Sequence, residues 1–230
     1  MGRYFFDGKT ERLAAVIGSR LFLPDIPRIL VVGCGSGREA AVLQAVLGGE
    51  VTGIDPENVF DPALRILPGV RLVTGDATSL SFPDGSFDLV YSFHALEHIP
   101  AWEKALLEMR RVLVPGGGVV IGTPNRSRLI GYLGSKSGSS LKEKLVWNMV
   151  DWKAKLTGKF RNEAGAHAGF TRSELSRALG KLFFEIRDIS NDYYLAVYRR
   201  VRFLIRFLSG SGLRRIVFPS IYVMGRKRRV

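Results

Sequence analysis

The sequence has a single cysteine, Cys34, among its 230 residues. One thiol excludes an internal disulfide framework and is typical of a protein in a reducing compartment. The first residues lack the apolar core and cleavage site of a signal peptide, and no run approaches the ~20 apolar residues that a membrane span requires. We therefore expect a cytoplasmic protein. With 46% hydrophobic residues, the chain is long enough to bury a full core as one domain over residues 1–230.

Acidic residues are scarce in the second half of the chain. Residues 1–125 carry 11 basic and 14 acidic side chains, whereas residues 126–230 carry 23 and 7. Such a basic half favours an acidic partner, which could be an anionic lipid surface, a phosphorylated substrate or a nucleic acid. The alternative that these basic residues only keep the protein soluble remains open. Because no RRM or KH signature accompanies the charge, nucleic acid is possible but not favoured.

Three closely spaced glycines interrupt an apolar strand within residues 29–39. Gly33, Gly35 and Gly37 separate the strand from the helix that follows. Glycine has no Cβ, so such a turn can adopt positive φ and let a ligand approach the backbone near free helical N–H groups. Cys34 lies inside this turn, and its small side chain is enough to explain its presence there. A role as a nucleophile is less favoured, because no base lies beside it in the sequence.

A carboxylate follows at the distance expected for a nucleoside site. The strand at 51–55 ends on Asp55, 18 residues after Gly37, and a carboxylate there can accept hydrogen bonds from both ribose hydroxyls. Arg38 stands where the dinucleotide fingerprint G-x-G-x-x-G would continue, which counts against a nicotinamide cofactor. The two signals together predict another nucleoside-containing ligand.

Further motifs continue the alternation in a fixed order. A strand at 69–77 ends in Asp76 and Ala77, and a strand at 86–94 leads into the loop 95–100. Residues 110–121 end a helix and turn through glycines into a fifth strand. This ordered set resembles the class I S-adenosylmethionine-dependent methyltransferases, especially those of ubiquinone and menaquinone biosynthesis. The resemblance is close over residues 28–125.

The resemblance implies S-adenosylmethionine as methyl donor and S-adenosylhomocysteine as product. The glycines of the turn would line the methionine end, Asp55 would hold the ribose, and Asp76 with Ala77 would meet the adenine edge. Phe93 and His94 would form the floor beneath the sulfonium. The complete cofactor-binding set is Gly33, Cys34, Gly35, Gly37, Asp55, Pro56, Asp76, Ala77, Phe93 and His94.

Histidines are the candidate catalytic residues. Methyl transfer needs nucleophile, methyl and sulfur held in line and water excluded, and a base helps if the acceptor is a hydroxyl. The candidates are His94, His98 and His167, with Glu97 beside them. Glu97 and His98 are too few to predict a metal site, and His98 could instead cap the helix that begins at Ala101.

We predict an α/β fold: a doubly wound, mostly parallel seven-stranded sheet with ligands at the carboxyl ends of the strands. Residues 1–125 would form the cofactor-binding half, 126–166 a helical insertion, and 167–230 the substrate-side half with a second helical insertion before the last strand. The other predicted elements are helices at 8–23, 38–47 and 101–113, a Thr171–Glu174 capping box that starts a helix, and strands at 183–189 and 220–225.

Two predicted helices carry apolar faces with open interpretations. The helix at 141–156 places five residues on one face, and that face could pack as core or form a lid over the active site. These residues are Leu141, Leu145, Met149, Trp152 and Leu156. The segment 193–208 is predicted as one helix that could lie in a membrane interface or pack on the sheet. Its arginines are Arg199, Arg202 and Arg206, flanked by Phe203 and Phe207, with Val197, Val201, Leu204, Ile205 and Leu208 opposite.

These observations predict a methyltransferase that acts on a small-molecule acceptor of lipid-like or anionic character, in peripheral contact with an anionic membrane surface. An RNA-modifying methyltransferase is the nearest alternative. A nicotinamide-dependent oxidoreductase and a non-catalytic nucleoside-binding or membrane-docking protein are the others.

Overall fold

The computed structural model describes residues 8–129, 131, 140–158 and 169–229. Seven strands form one sheet in the order β3-β2-β1-β4-β5-β7-β6. Strands β1 to β5 run parallel, and β7 runs antiparallel between β5 and β6. The bounds are β1 Arg28–Val32, β2 Glu50–Asp55, β3 Val70–Thr74, β4 Phe87–Phe93, β5 Leu113–Pro124, β6 Phe184–Asp188 and β7 Ser220–Arg226.

Helices cover both faces of the sheet, which confirms the doubly wound α/β prediction. They are α1 Gly8–Arg20, α2 Arg38–Leu47, α3 Pro62–Arg65, α4 Trp102–Val112, α5 Leu141–Thr157, α6 Arg172–Leu182, α7 Ser190–Val197, α8 Arg202–Gly210 and α9 Arg214–Val217. On one face Leu13, Leu43 and Tyr194 pack beneath α1, α2 and α7. On the other, Met109 and Leu175 anchor α4 and α6. The central strands are apolar because both of their faces are buried.

Several helices begin as their local sequence predicts. Helix α2 spans the expected residues, and Gly37 before it has φ +91°. An alanine Cβ there would lie 2.5 Å from a methyl group of Leu72, so the position needs glycine. The Thr171–Glu174 capping box at the start of α6 is confirmed, because each side chain bonds the backbone N–H of the other residue.

Some predicted bounds are wrong. The leading helix ends at Arg20 rather than at residue 23, since residues 21–27 leave the helical conformation before β1. The expected alternation of strands and helices is also interrupted, because residues 75–86 join β3 to β4 through turns. Because β2 and β1 lie between β3 and β4 in the sheet, this connection has to return from the carboxyl end of β3 to the start of the parallel strand β4.

The single helix predicted over 193–208 is also wrong. Helix α7 ends at Val197, and Tyr198 adopts φ −101° and ψ 56°, outside the helical region. The Tyr198 ring stacks on Tyr194 at 5.9 Å, and Arg202 Nε donates to the Leu195 carbonyl at 3.2 Å. That bond satisfies a carbonyl at the C-terminus of α7. A 3-10 turn, Arg199–Val201, then leads into α8, so the predicted arginine and apolar faces do not share one helix.

Helix α5 has almost the predicted bounds but the opposite orientation. Its apolar stripe is exposed at every position, namely Leu141, Leu145, Met149, Trp152 and Leu156. The residues that α5 buries include Asn148 and Asp151. Asp151 pairs with buried Arg128 at 2.6 Å, and Asn148 bonds the backbone of Gly131. Because a buried charge needs its partner, this polar anchor decides which face points inward, and the core interpretation of the stripe is wrong. The lid interpretation stays a prediction.

Within the described ranges, every helix is too short or too polar to cross a lipid bilayer.

Candidate active site

A cavity of about 360 Å³ opens at the edge where β1 to β4 end, called here the carboxyl edge. It lies between the turn after β1, the ends of β2 and β3, and the segment that follows β4. Its lining residues are Val32, Gly33, Gly35, Ile54, Asp55, Pro56, Glu57, Gly75, Asp76, Ala77, His94, Ala95, His98 and Ile99. This is the position in an open α/β sheet where ligands bind.

The glycine turn is fixed from below and open above. The N–H groups of Gly33 and Cys34 both donate to the Ile54 carbonyl, at 2.8 and 3.1 Å, which ties the turn to β2. A Cβ at Gly33 would lie 2.2 Å from the Cβ of Ala95. At Gly35, where φ is +50°, a Cβ would meet no protein atom within 4 Å. Gly35 therefore presents bare backbone to the cavity, which suits close approach by a ligand.

Asp55 links this turn to the end of β2. Its Oδ2 accepts a 2.8 Å bond from the N–H of Gly35, and its Oδ1 accepts a 3.1 Å bond from the N–H of Glu57. A carboxylate offers about four lone-pair sites, so these two bonds fix its orientation and leave acceptors toward the cavity. The arrangement fits a ribose, whose two adjacent hydroxyls are donors.

Asp76 and Ala77 line the cavity beyond β3. The carboxylate of Asp76 accepts from the N–H of Thr78 at 2.8 Å and from its hydroxyl at 2.7 Å. These two bonds hold the pKa of Asp76 below its usual value. Asp76 is thus ionised and held in one orientation, so it can accept a hydrogen bond from an amino group such as that of adenine.

On the opposite wall, the exposed side chain of His94 contacts the buried side chain of Glu97, and we call this pair the dyad. His94 Nδ1 lies 3.3 Å from Oε1 of Glu97, whose side chain is only 1% exposed. Oε2 of Glu97 accepts from the hydroxyl of Thr123 at 3.0 Å. Burial opposes the charge of Glu97, but the bonds from His94 and Thr123 outweigh it and lower its pKa.

The dyad determines which nitrogen of His94 can act. An ionised carboxylate can only accept, so the contact is favourable when Nδ1 carries the hydrogen, and Nε2 is then the acceptor. Nε2 lies 3.4 Å from the hydroxyl of Ser220. His94 also has φ +52°, an uncommon backbone conformation for a side-chain-bearing residue. The fold therefore holds this imidazole at the cavity wall, between the carboxylate of Glu97 and the hydroxyl of Ser220.

Of the other two candidate histidines, His98 and His167, the structure describes only the first. His98 ends a 3-10 turn, Leu96–His98, and lines the same cavity as His94. His167 lies outside the described residues. Among the described residues, no three His, Cys, Asp or Glu side chains are grouped so that they could hold a metal ion.

Three residues of the predicted cofactor-binding set do not line the cavity. Cys34 is buried beside Gly53, and burial, together with the charge of Asp55, raises the pKa of its thiol to about 12. Gly37 packs against Leu72. Phe93 stacks on Tyr222 and meets the ring of His94 edge-on at 4.2 Å, so it supports His94 from behind.

Sequence reasoning missed other parts of the site. Glu57 and Ala95 adjoin recognised residues and could have been included by position alone. Thr123 and Ser220 carried no signal, because Ser220 reaches the site only through the antiparallel pairing of β7, which places it opposite Pro124.

Comparison with known proteins agrees with this geometry. Residues 30–121 match the family described as Methyltransferase domain. The 2-methyl-6-phytyl-1,4-hydroquinone methyltransferase of Synechocystis sp. is 39% identical over 108 residues, which cover 45% of this chain and 34% of that protein. The demethylmenaquinone methyltransferase of Staphylococcus aureus (strain JH9) is 43% identical over 99 residues, 40% of this chain and 41% of that protein. The matches thus span less than half the length of these relatives.

Solved structures show the same fold over nearly the whole chain. A protein from Methanococcus maripaludis, assigned as an S-adenosyl-L-methionine-dependent methyltransferase, has a TM-score of 0.59 at 14% identity, covering 97% of this chain and 87% of its own. The cyclase SpnF has a TM-score of 0.58 at 18% identity, covering 96% and 81%.

The sheet order and the cavity at its carboxyl edge define the class I methyltransferase fold. Residues 30–121 are a methyltransferase domain, and this part of the chain is similar in sequence to quinone-modifying methyltransferases. The family implies S-adenosylmethionine as cofactor, and the open backbone at Gly35 and the fixed carboxylate of Asp55 fit that molecule.

Proposed function

We propose that the protein transfers a methyl group from S-adenosylmethionine to a small, lipid-like acceptor such as a quinol. The observation that supports this proposal is the cavity itself, which brings the backbone of Gly35 and the carboxylates of Asp55 and Asp76 together with His94. Similarity to two quinone methyltransferases supports the choice of acceptor class.

Gly33, Gly35, Asp55, Asp76 and Ala77 would hold the cofactor. When bound, it supplies a methyl group attached to a positively charged sulfur, which is already a good leaving group. The protein must therefore hold the acceptor in line with that methyl and keep water out. The cavity is lined partly by apolar side chains, including Val32 and Ile99, which help to exclude water.

His94 would act as the general base. The acceptor hydroxyl would lose its proton to Nε2 of His94 while its oxygen bonds the methyl carbon. The electron pair of the broken carbon–sulfur bond would stay with the sulfur. The imidazolium so formed would be stabilised by Glu97, whose negative charge lies 3.3 Å from Nδ1. Glu97 is thus a positioning residue that fixes the tautomer before the reaction and balances charge during it.

The test combines binding and turnover. Calorimetry should show S-adenosylmethionine and S-adenosylhomocysteine binding the wild-type protein, with Asp55→Ala weakening both because the ribose loses its acceptors. Labelled methyl donor should then transfer its methyl group to a quinol within a panel of aromatic and lipid acceptors. Donor binding without methyl transfer to any quinol would contradict the acceptor class, and absence of donor binding would contradict the whole proposal.

An RNA-modifying methyltransferase is the second candidate, favoured by exposed arginines in the C-terminal half such as Arg206 and Arg215. The same labelled donor incubated with total RNA tests it. Methyl incorporation into RNA that falls steeply with salt would favour this candidate over the quinol.

A further inference from the structure

Residues 199–217 expose apolar and basic side chains together, and we call this region the basic–apolar surface. Its exposed apolar residues are Val201, Phe203, Leu204, Phe207, Leu213 and Val217. Its exposed basic residues are Arg199, Arg200, Arg202, Arg206 and Arg215. Ile205 is the buried residue of α8, and it fastens the helix to the core below. Few apolar residues of this region are therefore buried in the core.

The degree of exposure is unusual for aromatic side chains. Phe203 is 85% exposed and Phe207 is 58% exposed, and they lie four residues apart on one side of α8, where side chains at this spacing are neighbours. Leu204, also exposed, extends the same patch. Contiguous apolar groups of this kind mark surfaces that bind an apolar partner.

The charges around the patch are of one sign. Residues 199–217 contain no acidic residue, and within the described part of the chain no carboxylate pairs with Arg199, Arg206 or Arg215. The positive field extends inward to Arg172. Although Arg172 pairs with Asp188, burial and the charges of Arg214 and Arg215 lower its pKa to about 10. A partner for this region must therefore supply negative charge.

The basic–apolar surface adjoins the acceptor side of the cavity. Helix α9 ends at Val217, three residues before Ser220, whose hydroxyl lies 3.4 Å from Nε2 of His94. Ser220 pairs with Pro124 at the carboxyl end of β5, so α9 approaches the sheet at the same edge as the cavity.

The exposed stripe of α5 continues the patch. Trp152 Nε1 donates to the Leu129 carbonyl at 2.6 Å, and the N–H of Leu129 donates to the carbonyl of Ile216 at 2.7 Å. These two bonds connect α5 to α9. The exposed residues Trp152, Leu156 and Leu129 therefore lie beside the basic–apolar surface on the same edge of the molecule.

We propose that the basic–apolar surface docks on an anionic lipid bilayer, with Phe203 and Phe207 inserted at the interface and the arginines on lipid phosphates. Aromatic side chains enter this interfacial layer, and each arginine near an anionic surface adds to the attraction. RNA would satisfy the arginines, but it offers no apolar phase for aliphatic side chains such as Leu204 and Val217. Docking concerns where the protein binds, so it goes beyond methyl transfer and does not rest on it.

The test measures sedimentation with vesicles. Wild-type protein should bind vesicles of equal phosphatidylglycerol and phosphatidylcholine, and it should bind pure phosphatidylcholine at least about ten-fold more weakly. The Phe203→Ser/Phe207→Ser variant should lose about ten-fold or more in affinity because the inserted apolar area is gone. Arg199→Gln and Arg206→Gln should each lose about five-fold at low salt.

The matched control is Phe22→Ser. Phe22 is 95% exposed but lies beside Gly116 and Phe184, at the edge of the sheet opposite the cavity. This variant should bind vesicles as the wild type does. Circular dichroism and calorimetry with S-adenosylhomocysteine should show that all variants keep their fold and their cofactor site.

Three results would overturn the proposal. They are unchanged vesicle binding by the Phe203→Ser/Phe207→Ser variant, equal affinity for neutral and anionic vesicles, and displacement of the protein from vesicles by stoichiometric transfer RNA. A protein that docks on vesicles yet transfers no methyl group would refute the proposed function alone.

Discussion

Replacing Gly35 by alanine separates the binding role of the glycine turn from its folding role. The added Cβ would meet no protein atom within 4 Å, so packing is unaffected. The only folding cost comes from holding an alanine at φ +50°, about 1–2 kcal/mol for a left-handed residue. Because a domain of this kind has about 5–15 kcal/mol of stability, the variant should remain folded.

The expected loss of ligand-binding free energy is as large as the folding cost or larger. The new methyl group would occupy space where the cofactor meets the backbone, and inserting one group into a packed contact costs about 1–3 kcal/mol. That corresponds to a dissociation constant for S-adenosylhomocysteine raised roughly 5- to 150-fold. Isothermal titration calorimetry measures this constant, and urea unfolding measures the stability.

Gly158 provides the matched control. It also has positive φ, +68°, and a Cβ there would likewise meet nothing within 4 Å, but it ends α5 and does not line the cavity. Gly158→Ala should cost similar stability and leave affinity unchanged. Gly35→Ala protein that binds S-adenosylhomocysteine as tightly as the wild type would refute the assignment of this turn as the cofactor cradle.

Three further predictions concern the dyad and the cysteine. Glu97→Gln should lower kcat by about 100-fold or more, since an amide can hold His94 in the wrong tautomer, with calorimetric donor affinity unchanged; a wild-type kcat would rule out the dyad. The pKa of Glu97 in the folded protein lies below the usual 4.5, so ionised Glu97 stabilises the fold above pH 4.5 and loses this effect as the pH falls through its lowered pKa. Acid unfolding followed by fluorescence should therefore be less steep in Glu97→Gln, and identical curves would count against the ion pair. Cys34→Ser should keep its methyl transfer rate, and thiol reagents at neutral pH should label the native protein slowly, because a thiol with a pKa of about 12 is protonated there; rapid labelling would contradict the buried placement.

The glycine turn was predictable because its determinants are local. Strand β1, the turn and α2 follow from an apolar run, three glycines and a helix-forming segment within twenty residues. The same holds for the capping box of α6, where Thr171 and Glu174 interact with each other's backbone. Motifs of this kind need no information from the rest of the chain.

The features that escaped prediction depend on distant partners. Periodicity placed the apolar stripe of α5 correctly but could not orient it, since the inward face is decided by Arg128, which pairs with Asp151 from 23 residues away. Likewise Ser220 lies 126 residues from His94 in the chain. Only the antiparallel insertion of β7 beside β5 brings the two together.

A crystal structure of the protein with S-adenosylhomocysteine tests the central claim most directly. The account predicts the ribose hydroxyls on Asp55, the adenine beside Asp76 and Ala77, and the sulfur facing His94 across the cavity. The product bound elsewhere, or a cavity that excludes it at saturating concentration, would contradict the account.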